Sequence, residues 1–271
     1  MKCNKKLLLL LVTAIILLVY TFIEPYWITV KTIPIINKDI PSAFNNKKII
    51  FISDIHHGPF LSIERVQNLV KKINSLEPDI VLLGGDYVHR DKKYIKPVFR
   101  ALSRLKANLF IGGVLGNHDH WESKALTIQH MKQAGITLLD NKSQWIRINN
   151  EKIKIGGVGD LWEDVQILKN TTHDVTKKDF VLLVSHNSDY FTTIKTHSID
   201  LVLSGHSHGG QVTLFGLWVP ILPIKNTKYW KGLYKNKYST LYITTGIGTI
   251  TPPVRFFSRP EIVVFLLKTN N

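Results

Sequence analysis

Short motifs of Asp, His and Asn recur through the chain, and each one follows an apolar run. The runs KIIFIS, DIVLL, LFIGGVL, FVLLVS and DLVLS are followed in turn by Asp54-Ile55-His56, Gly84-Gly85-Asp86, Gly116-Asn117-His118-Asp119, His186-Asn187 and Gly205-His206-Ser207-His208. Carboxylate oxygen, imidazole nitrogen and amide oxygen are ligands for hard or borderline divalent cations. Alternate positions on an extended segment would place Asp54 beside His56, and His206 beside His208. The motifs therefore predict a site for divalent metal ions.

Such ligands could also hold a pair of ions. Two ions close together need a carboxylate that can bridge them, and together they acidify water and clamp an in-line displacement at phosphorus. The glycines beside the motifs let backbone and ligand approach closely. A lone histidine would more often be an ordinary core or surface residue. Five such motifs at successive strand ends are hard to produce by chance, so the pattern favours phosphoryl chemistry.

Alternating apolar and amphipathic segments predict the elements that position these motifs. We expect strands over 48–53, 79–83, 109–115, 136–139, 144–148, 152–158, 180–185, 200–204, 241–245 and 262–268, and helices over 63–76, 93–106 and 122–134. The first half is βαβαβα, which indicates a parallel sheet covered by helices. Functional groups in such sheets collect where the strands end. The sequence thus predicts an α/β layered sandwich with one catalytic domain over 47–271.

The N-terminal segment predicts a membrane anchor. An apolar run from Leu7 to Ile23 follows Lys2, Lys5 and Lys6, and Glu24-Pro25 ends it, which is the short limit for crossing a bilayer. A cleaved signal peptide is the alternative, but no small-x-small cleavage site follows the run. We therefore expect an uncleaved single-pass anchor over 1–25, and a linker or an edge strand over 26–46. Lysines flank the run on both sides, so the side of the membrane stays open.

Composition excludes several other classes of protein. The chain has 271 residues, 44% of them apolar and 20% charged, which excludes a disordered or low-complexity chain. One cysteine, Cys3, excludes an internal disulfide and a cysteine-rich zinc site. The net charge of +15 favours an anionic partner, namely a phosphate, a nucleic acid or an acidic membrane face, and does not choose among them.

Taken together, the motifs resemble the calcineurin-like metallophosphoesterase superfamily. The resemblance covers about 47–267 and implies a four-layer α/β/β/α sandwich. The Gly205–Gln211 stretch and the N-terminal anchor look like a bacterial membrane-anchored subgroup, which includes general phosphodiesterases and UDP-2,3-diacylglucosamine pyrophosphatases. It also implies two divalent metal ions, and the ligand types admit Mn²⁺, Fe²⁺ or Zn²⁺.

The resemblance assigns roles to individual residues. It implies a first ion on Asp54, His56 and His208, a second ion on Asn117, His186 and His206, and Asp86 as the bridge between them. His118 matches the catalytic histidine, which stabilises charge on the phosphate and can protonate the leaving oxygen. Asp119 either holds the His118 imidazole or is a turn residue. His57, His89 and His120 match no ligand position and are either supporting or substrate-contacting residues, or ordinary surface histidines. Substrate-binding residues are not identified.

Two further segments bear on the substrate. Val212–Ile224 is apolar, and it is either a buried strand with a turn or a loop that contacts lipid or an acyl chain. Lys225–Tyr238 mixes lysines with aromatic residues and no acid, which suits a solvated hairpin, a membrane interface or single-stranded nucleic acid. With an anchor already predicted, we favour an amphiphilic phosphate ester and expect no nucleic-acid partner.

The predicted function is a membrane-anchored dinuclear-metal phosphoesterase that hydrolyses a phosphodiester or pyrophosphate bond with metal-activated water. The favoured substrate is lipid-linked, such as UDP-2,3-diacylglucosamine. One alternative is a general cell-surface phosphodiesterase or phosphatase. An alternative of another class is a non-catalytic module that binds membrane or nucleic acid.

Overall fold

The computed structural model describes residues 5–270 and contains two six-stranded sheets. The strands are β1 Thr29–Asn37, β2 Lys48–Ile52, β3 Ile80–Leu83, β4 Phe110–Gly113, β5 Thr137–Leu138, β6 Ser143–Ile148, β7 Glu151–Gly157, β8 Val181–Asn187, β9 Leu201–Gly205, β10 Gly232–Lys235, β11 Thr240–Ile243 and β12 Glu261–Thr269. The helices are α1 Lys5–Ile23, α2 Ile63–Asn74, α3 Ile95–Leu102, α4 Asn117–Gln133 and α5 Lys169–Thr172. The strand orders are β1-β12-β2-β3-β4-β5 and β10-β11-β9-β8-β7-β6. Lys2 and Cys3 lie outside the described residues.

The central strands are apolar throughout because both of their faces are buried. In β2, Ile49 and Phe51 point into the core between the two sheets, whereas Ile50 and Ile52 point into the core beneath the helices. Side chains alternate along a strand, so consecutive apolar residues supply two different cores. The continuous run that predicted β2 therefore also fixes its place in the middle of the sandwich.

The outer layers confirm the α/β class and differ in thickness. Helices α2, α3 and α4 cover the first sheet through residues such as Val66, Val98 and Met131. The outer face of the second sheet is covered by a short 3₁₀ helix, Ser188–Thr193, whose Tyr190 and Phe191 pack on it, and by the short helix α5 beside β7. The second helical layer is accordingly thin in the described part of the chain.

Several element boundaries differ from the sequence-based expectation. The helix expected over 93–106 is shorter, Ile95–Leu102, and a 3₁₀ turn precedes it. The helix expected over 122–134 begins earlier, at Asn117, and has a kink at Ser123. It starts earlier because the Asp119 carboxylate accepts a hydrogen bond from the Gly116 N–H and so caps the first turn. The metal-site motif Asn117-His118 thus lies inside the helix.

The segment over 26–46 contains an edge strand. β1 pairs in parallel with β12 from Thr29↔Glu261 to Asn37↔Thr269, so the first sheet begins before residue 47, the boundary that the sequence predicted. Proline is compatible with an edge strand because one side of the strand needs no hydrogen-bond donor. Pro34 is therefore compatible with its position in β1, which is an edge strand of the first sheet.

Helix α1 projects from the sandwich and is joined to it at its C-terminal end. The span Lys5–Tyr26 has a mean hydropathy of 2.6 in its most apolar window and is long enough to cross a bilayer. Beyond it, the buried Glu24 carboxylate accepts hydrogen bonds from the Phe257 N–H (2.7 Å) and the Ser258 N–H (2.6 Å). Ser258 Oγ in turn donates to the His208 carbonyl (3.1 Å). The end of α1 is therefore two hydrogen bonds away from a predicted metal ligand.

Candidate metal centre

The seven predicted ligands all lie just beyond, or at the end of, strands of the two sheets. Asp54 and His56 follow β2, Asp86 follows β3, Asn117 follows β4, His186 is in β8, and His206 and His208 follow β9. These strands run in parallel within each sheet, so their carboxyl ends meet at one edge. All seven side chains are buried. The strand-end motifs therefore lie together at one edge of the two sheets.

The backbone at this edge differs from the extended geometry that the sequence suggested. Five of the ligands have a positive φ between 48° and 66°: Asp54, His56, Asp86, His206 and His208. Residues other than glycine rarely adopt this left-handed conformation, and where they do so it is often at functional sites. The ligand pairs come together because the chain turns sharply at each strand end, not because they alternate along an extended strand.

Asp54, His56 and His208 form the first group of ligand atoms. His56 Nε2 and His208 Nε2 are 3.0 Å apart, and His208 Nε2 is 3.6 Å from Asp54 Oδ1. The Nδ1 atoms of both imidazoles are buried and have no hydrogen-bond partner among residues 5–270. Two ring nitrogens that face each other at this distance need a proton or a cation between them. The chemistry of this donor set fits a divalent ion.

Asp86, His186 and His206 form the second group. His186 Nε2 is 3.3 Å from Asp86 Oδ2 and 3.2 Å from His206 Nδ1. The other ring nitrogens donate to backbone carbonyls, His186 Nδ1 to Gly84 (2.7 Å) and His206 Nε2 to Pro223 (2.9 Å). These bonds direct the remaining nitrogen of each imidazole into the group. Burial alone would lower the pKa of His186, but Asp86 raises it well above its usual value, so His186 Nε2 carries a proton that a bound metal ion would replace.

The Asp86 carboxylate joins the two groups. Its Oδ2 atom is 3.4 Å from His56 Nε2 of the first group and 3.3 Å from His186 Nε2 of the second. Its Oδ1 atom accepts a hydrogen bond from the His118 N–H (2.9 Å). Asn117 Oδ1 is buried and has no hydrogen-bond partner in the described part of the chain. The predicted bridging position is therefore occupied by a carboxylate that reaches both groups.

Burial sets the protonation of these side chains. It lowers the pKa of His56, and it lowers the pKa of His206 to about 3, so both imidazoles are neutral and able to act as ligands. Burial also raises the pKa of Asp54 to about 6. For Asp86, burial alone would raise the pKa, but the charge of His186 outweighs it and holds the pKa well below its usual range. The buried carboxylates thus depend on nearby positive charge.

Two glycines keep this space open. A Cβ atom on Gly116 would collide with Asp86 Oδ1 and His186 Nε2, and one on Gly205 would collide with Asp54 Oδ2 and Ser53 Oγ. Because the clashing atoms belong to side chains fixed by burial, they could not move aside cheaply. The glycines within the motifs are therefore needed for close approach.

His118 lies at the open side of the centre among aromatic rings. Its ring is 4.7 Å from that of His56 and 4.7 Å from that of Trp121, and His89 packs 5.1 Å away. Trp162 stands against the His206 ring at 4.4 Å and stacks on Trp121 at 6.5 Å. Sequence patterns alone do not identify the two tryptophans, because they are far from each other along the chain and lie outside the strand-end motifs. Both are about half exposed and form a platform beside the ligands.

Asp119 has a structural role that differs from both sequence-based alternatives. Its carboxylate accepts hydrogen bonds from the backbone N–H groups of Asp86 (2.8 Å), Tyr87 (2.9 Å) and Gly116 (2.9 Å). His118 Nδ1 has no hydrogen-bond partner within the described range, so Asp119 does not hold it. Asp119 instead ties the loop after β3 to the start of α4, which fixes Asp86 next to His118.

The three additional histidines fall into different settings. His57 is buried and bonds to the Leu61 carbonyl (2.8 Å), so it supports the loop after β2 and is not a surface residue. His89 is buried against His118 and faces the centre. His120 lies in a separate group with Asp140 and Asp164, where Lys124 Nζ already contacts Asp164 Oδ2 at 2.5 Å.

Asp140 makes the stability of the protein depend on pH. Burial raises its pKa to about 7, and Asp164 adds to this effect. The folded protein therefore binds a proton that the unfolded chain releases above pH 4, so stability falls as the pH rises towards 7. We expect the free energy of unfolding of Asp140→Asn, measured by urea denaturation, to exceed that of the wild type by on the order of 1–3 kcal/mol at pH 8 and to differ little at pH 4. An equal difference at both pH values would contradict this.

Comparison with known proteins supports the interpretation of this centre. Residues 47–210 match the calcineurin-like phosphoesterase family. The chain is 29% identical to the uncharacterized metallophosphoesterase YkuE of Bacillus subtilis over 92% of this chain and 89% of that protein. It is 31% identical to phosphodiesterase YaeI of Escherichia coli, covering 81% of this chain and 82% of that protein.

Two further similarities concern the anchor and the fold. The chain is 27% identical to a transmembrane protein with metallophosphoesterase domain from Danio rerio, over 98% of this chain and 63% of that protein. Among solved structures, the NAD nucleotidase of Haemophilus influenzae is similar with a TM-score of 0.51 and 17% identity, over 78% of this chain and 45% of that chain. That likeness concerns the fold alone.

The family match and the similar proteins indicate the same chemistry as the Asp and His side chains that converge at the strand ends. Calcineurin-like phosphoesterases use dinuclear divalent metals, and the two Asp/His groups described above are of the kind that such ions need. The chain belongs to the calcineurin-like phosphoesterase family and is a metal-dependent phosphoesterase.

Proposed function

We propose that this centre holds two divalent ions and hydrolyses a phosphodiester or pyrophosphate bond. Asp54, His56 and His208 would hold the first ion; Asn117, His186 and His206 would hold the second; Asp86 would bridge them. The observation that carries this proposal is the position of Asp86 Oδ2, 3.4 Å from His56 Nε2 and 3.3 Å from His186 Nε2. Two such ions supply Lewis acidity to phosphoryl oxygens and acidify water.

His118 is the residue proposed to act on the substrate. Its backbone N–H is fixed by Asp86 Oδ1, so its imidazole is held at a defined place beside the bridge. From there the ring would donate a hydrogen bond to a phosphoryl oxygen and protonate the leaving oxygen. The neighbouring His89 imidazole, buried on the same side, would restrict the position of the His118 ring.

The ligand set leaves the metal pair open to Mn²⁺, Fe²⁺ or Zn²⁺, because all three accept mixed nitrogen and oxygen ligands. We therefore expect elemental analysis of the purified full-length protein to find two equivalents of these metals. A screen with phosphomonoesters, phosphodiesters and nucleotide lipids should then show metal-dependent release of product. Purified protein that binds no metal in any of these forms and hydrolyses none of the substrates would contradict the proposal.

A lipid-linked substrate is the favoured class. An apolar cavity of about 350 Å³ adjoins His208 and is lined by residues such as Val212, Ile221, Pro223 and Ile250. A cavity of this kind suits an alkyl chain whose phosphate lies at the metal centre. UDP-2,3-diacylglucosamine has such a chain together with a pyrophosphate, and its planar base would suit the Trp121–Trp162 platform.

A general phosphodiesterase or phosphatase is the second candidate. The similarity to a protein named phosphodiesterase favours it, and so does the open side of the centre around His118. Release of UMP from UDP-2,3-diacylglucosamine, compared with hydrolysis of bis(p-nitrophenyl) phosphate, separates the two candidates. Activity on the soluble diester with no UMP release would refute the UDP-2,3-diacylglucosamine substrate and support the general phosphodiesterase.

Filling the cavity should separate long-chain from short substrates. Ile250 is half-buried at the cavity wall, and Ile250→Trp would occupy the space of several methylene groups. We expect kcat/KM for a long-chain lipid substrate to fall about tenfold or more, because at least two methylenes lose about 0.8 kcal/mol each. Activity on bis(p-nitrophenyl) phosphate should stay unchanged. Leu233→Trp, at an exposed position of β10, serves as the control, and an equal loss on both substrates would argue against an alkyl-chain cavity.

The enzyme is proposed to be anchored to a membrane by α1. The length and apolarity of α1 and the transmembrane relatives from vertebrates support this anchor. The basic aromatic segment 225–238 contains the edge strand β10 and reaches from one end of its neighbour β11 to the other, since Gly232 pairs with Ile243 and Lys235 with Thr240. Only its first half lies at the end of the sheet that carries the metal centre.

A further inference from the structure

The segment Val212–Ile224, termed the apolar loop, carries several exposed apolar side chains. The alternative of a buried strand is wrong, because the segment forms only isolated bridges, Val212↔Phe256 and Leu214↔Trp218. Leu217 is 85% exposed and Ile221 is 81% exposed. The large exposed apolar side chains of the loop are Leu214, Phe215, Leu217, Trp218 and Ile221. A patch of this kind on a folded domain indicates a binding surface.

The apolar loop lies beside the last turns of α1. The Tyr20 ring packs against Phe256 (5.9 Å) and Phe257 (5.7 Å), and Phe257 packs against Phe215 of the loop (5.2 Å). The Arg255 N–H also donates to the Thr21 carbonyl (3.0 Å). The loop is thus continuous with the surface of the proposed membrane helix.

The contacts between Tyr20 and the domain lie inside the apolar length of α1, near its C-terminal end. Tyr20 comes three residues before Ile23, where α1 ends, so its backbone lies about 5 Å inside the end of the helix at a rise of 1.5 Å per residue. The Phe257 ring contacts Tyr20 at this level, and the Phe215 ring contacts Phe257. If α1 spans a bilayer, these side chains are at the level of its apolar boundary, and the more exposed loop residues are their neighbours.

Side chains typical of a membrane interface surround the end of α1. The Arg65 guanidinium lies 4.2 Å from the centre of the exposed Tyr26 ring, and the Arg259 guanidinium lies 3.8 Å from that of the exposed Trp27 ring. Tyr and Trp favour the head-group region, and cations there attract anionic lipids. Both signals occur at the end of α1 that carries the apolar loop.

We propose that the apolar loop inserts into the leaflet in which α1 ends, and that an anionic lipid bilayer is the occupant of this surface. The cavity beside His208 is lined by Ile221 of the same loop, so an amphiphilic phosphate ester reaches the metal centre directly from the membrane. The inference rests on the proposed membrane anchor and deepens the proposed function by giving the route of the substrate.

The test uses the full-length protein in vesicles of phosphatidylcholine and phosphatidylglycerol. Cys3→Ser removes the one natural cysteine, and Leu217→Cys then carries an environment-sensitive fluorophore. Lipids spin-labelled on the acyl chain should quench most of its fluorescence. The matched control is Asn150→Cys, exposed in the β6–β7 hairpin at the opposite edge of the second sheet, where we expect no quenching.

Equal quenching at the two positions, or none at residue 217, would overturn the inference. The measurement needs no turnover, so it is independent of the proposed substrate. Quenching at residue 217 together with no activity on lipid-linked phosphates would support loop insertion and refute the lipid substrate. Hydrolysis of lipid-linked substrate without quenching would refute loop insertion alone.

Discussion

Asp86→Asn is expected to abolish turnover and to reduce the metal content of the protein. Asparagine keeps the shape of the side chain but loses the negative charge and one of the two carboxylate oxygens. Oδ2 is the atom that lies within 3.4 Å of a histidine nitrogen in each group, so the loss affects both ions. We expect kcat/KM to fall about a thousandfold or more, which is about 4 kcal/mol of transition-state stabilisation. Metal content should fall from two equivalents to one or fewer.

The control for this experiment is Asp91→Asn, which changes an exposed carboxylate that contacts the side chain and the backbone N–H of Lys93. It should leave metal content and activity unchanged. The same pair of variants tests the alternative of a non-catalytic module, which predicts that binding of membrane or nucleic acid survives in Asp86→Asn. An Asp86→Asn protein with both metals and full turnover would refute the bridging role.

His118→Gln is expected to lower turnover while both metals stay bound. The backbone N–H that holds Asp86 Oδ1 remains, and none of the proposed ligands is changed. Loss of a general acid typically reduces kcat by about a hundredfold to ten-thousandfold. The reduction should be larger for a poor alcohol leaving group than for p-nitrophenolate, because only the former needs a proton. Measured metal content distinguishes this variant from a ligand variant.

His130→Gln, further along α4 and away from the metal centre, is the matched control and should behave as the wild type. An equal loss for good and poor leaving groups would limit His118 to charge stabilisation on the phosphate. Loss of metal in His118→Gln would instead make it a ligand and would contradict the assignment.

Hydrogen bonds connect the C-terminal end of α1 to the metal centre. Glu24, just beyond α1, fixes the backbone of Phe257 and Ser258, and Ser258 bonds to the carbonyl of His208. Arg255, fully buried, donates to the carbonyls of Gly248 and Ser258 in the same region. These hydrogen bonds therefore fix the distance between the C-terminal end of α1 and the metal centre.

Local patterns predicted most of the fold. Strands such as β2 and β8 were recognisable because a run buried on both faces is apolar at every position. Helix α2 was recognisable from the spacing of Val66, Leu69, Val70 and Ile73. The start of α4 was missed, because its first turn consists of Asn117, His118 and Asp119, which carry the chemistry of the centre and give no apolar periodicity.

The sequence by itself determined which residue types stand at the strand ends, and thus the family and the two-metal chemistry that it implies. Tertiary structure decided what spacing along the chain cannot encode: the sharp turns that aim Asp54 and His206, the pairing of Trp121 with Trp162, and the exposed loop beside α1. The physical reason is that these features depend on contacts between segments far apart in the chain. A residue's type shows what it can bind, whereas only the packed fold determines what it meets.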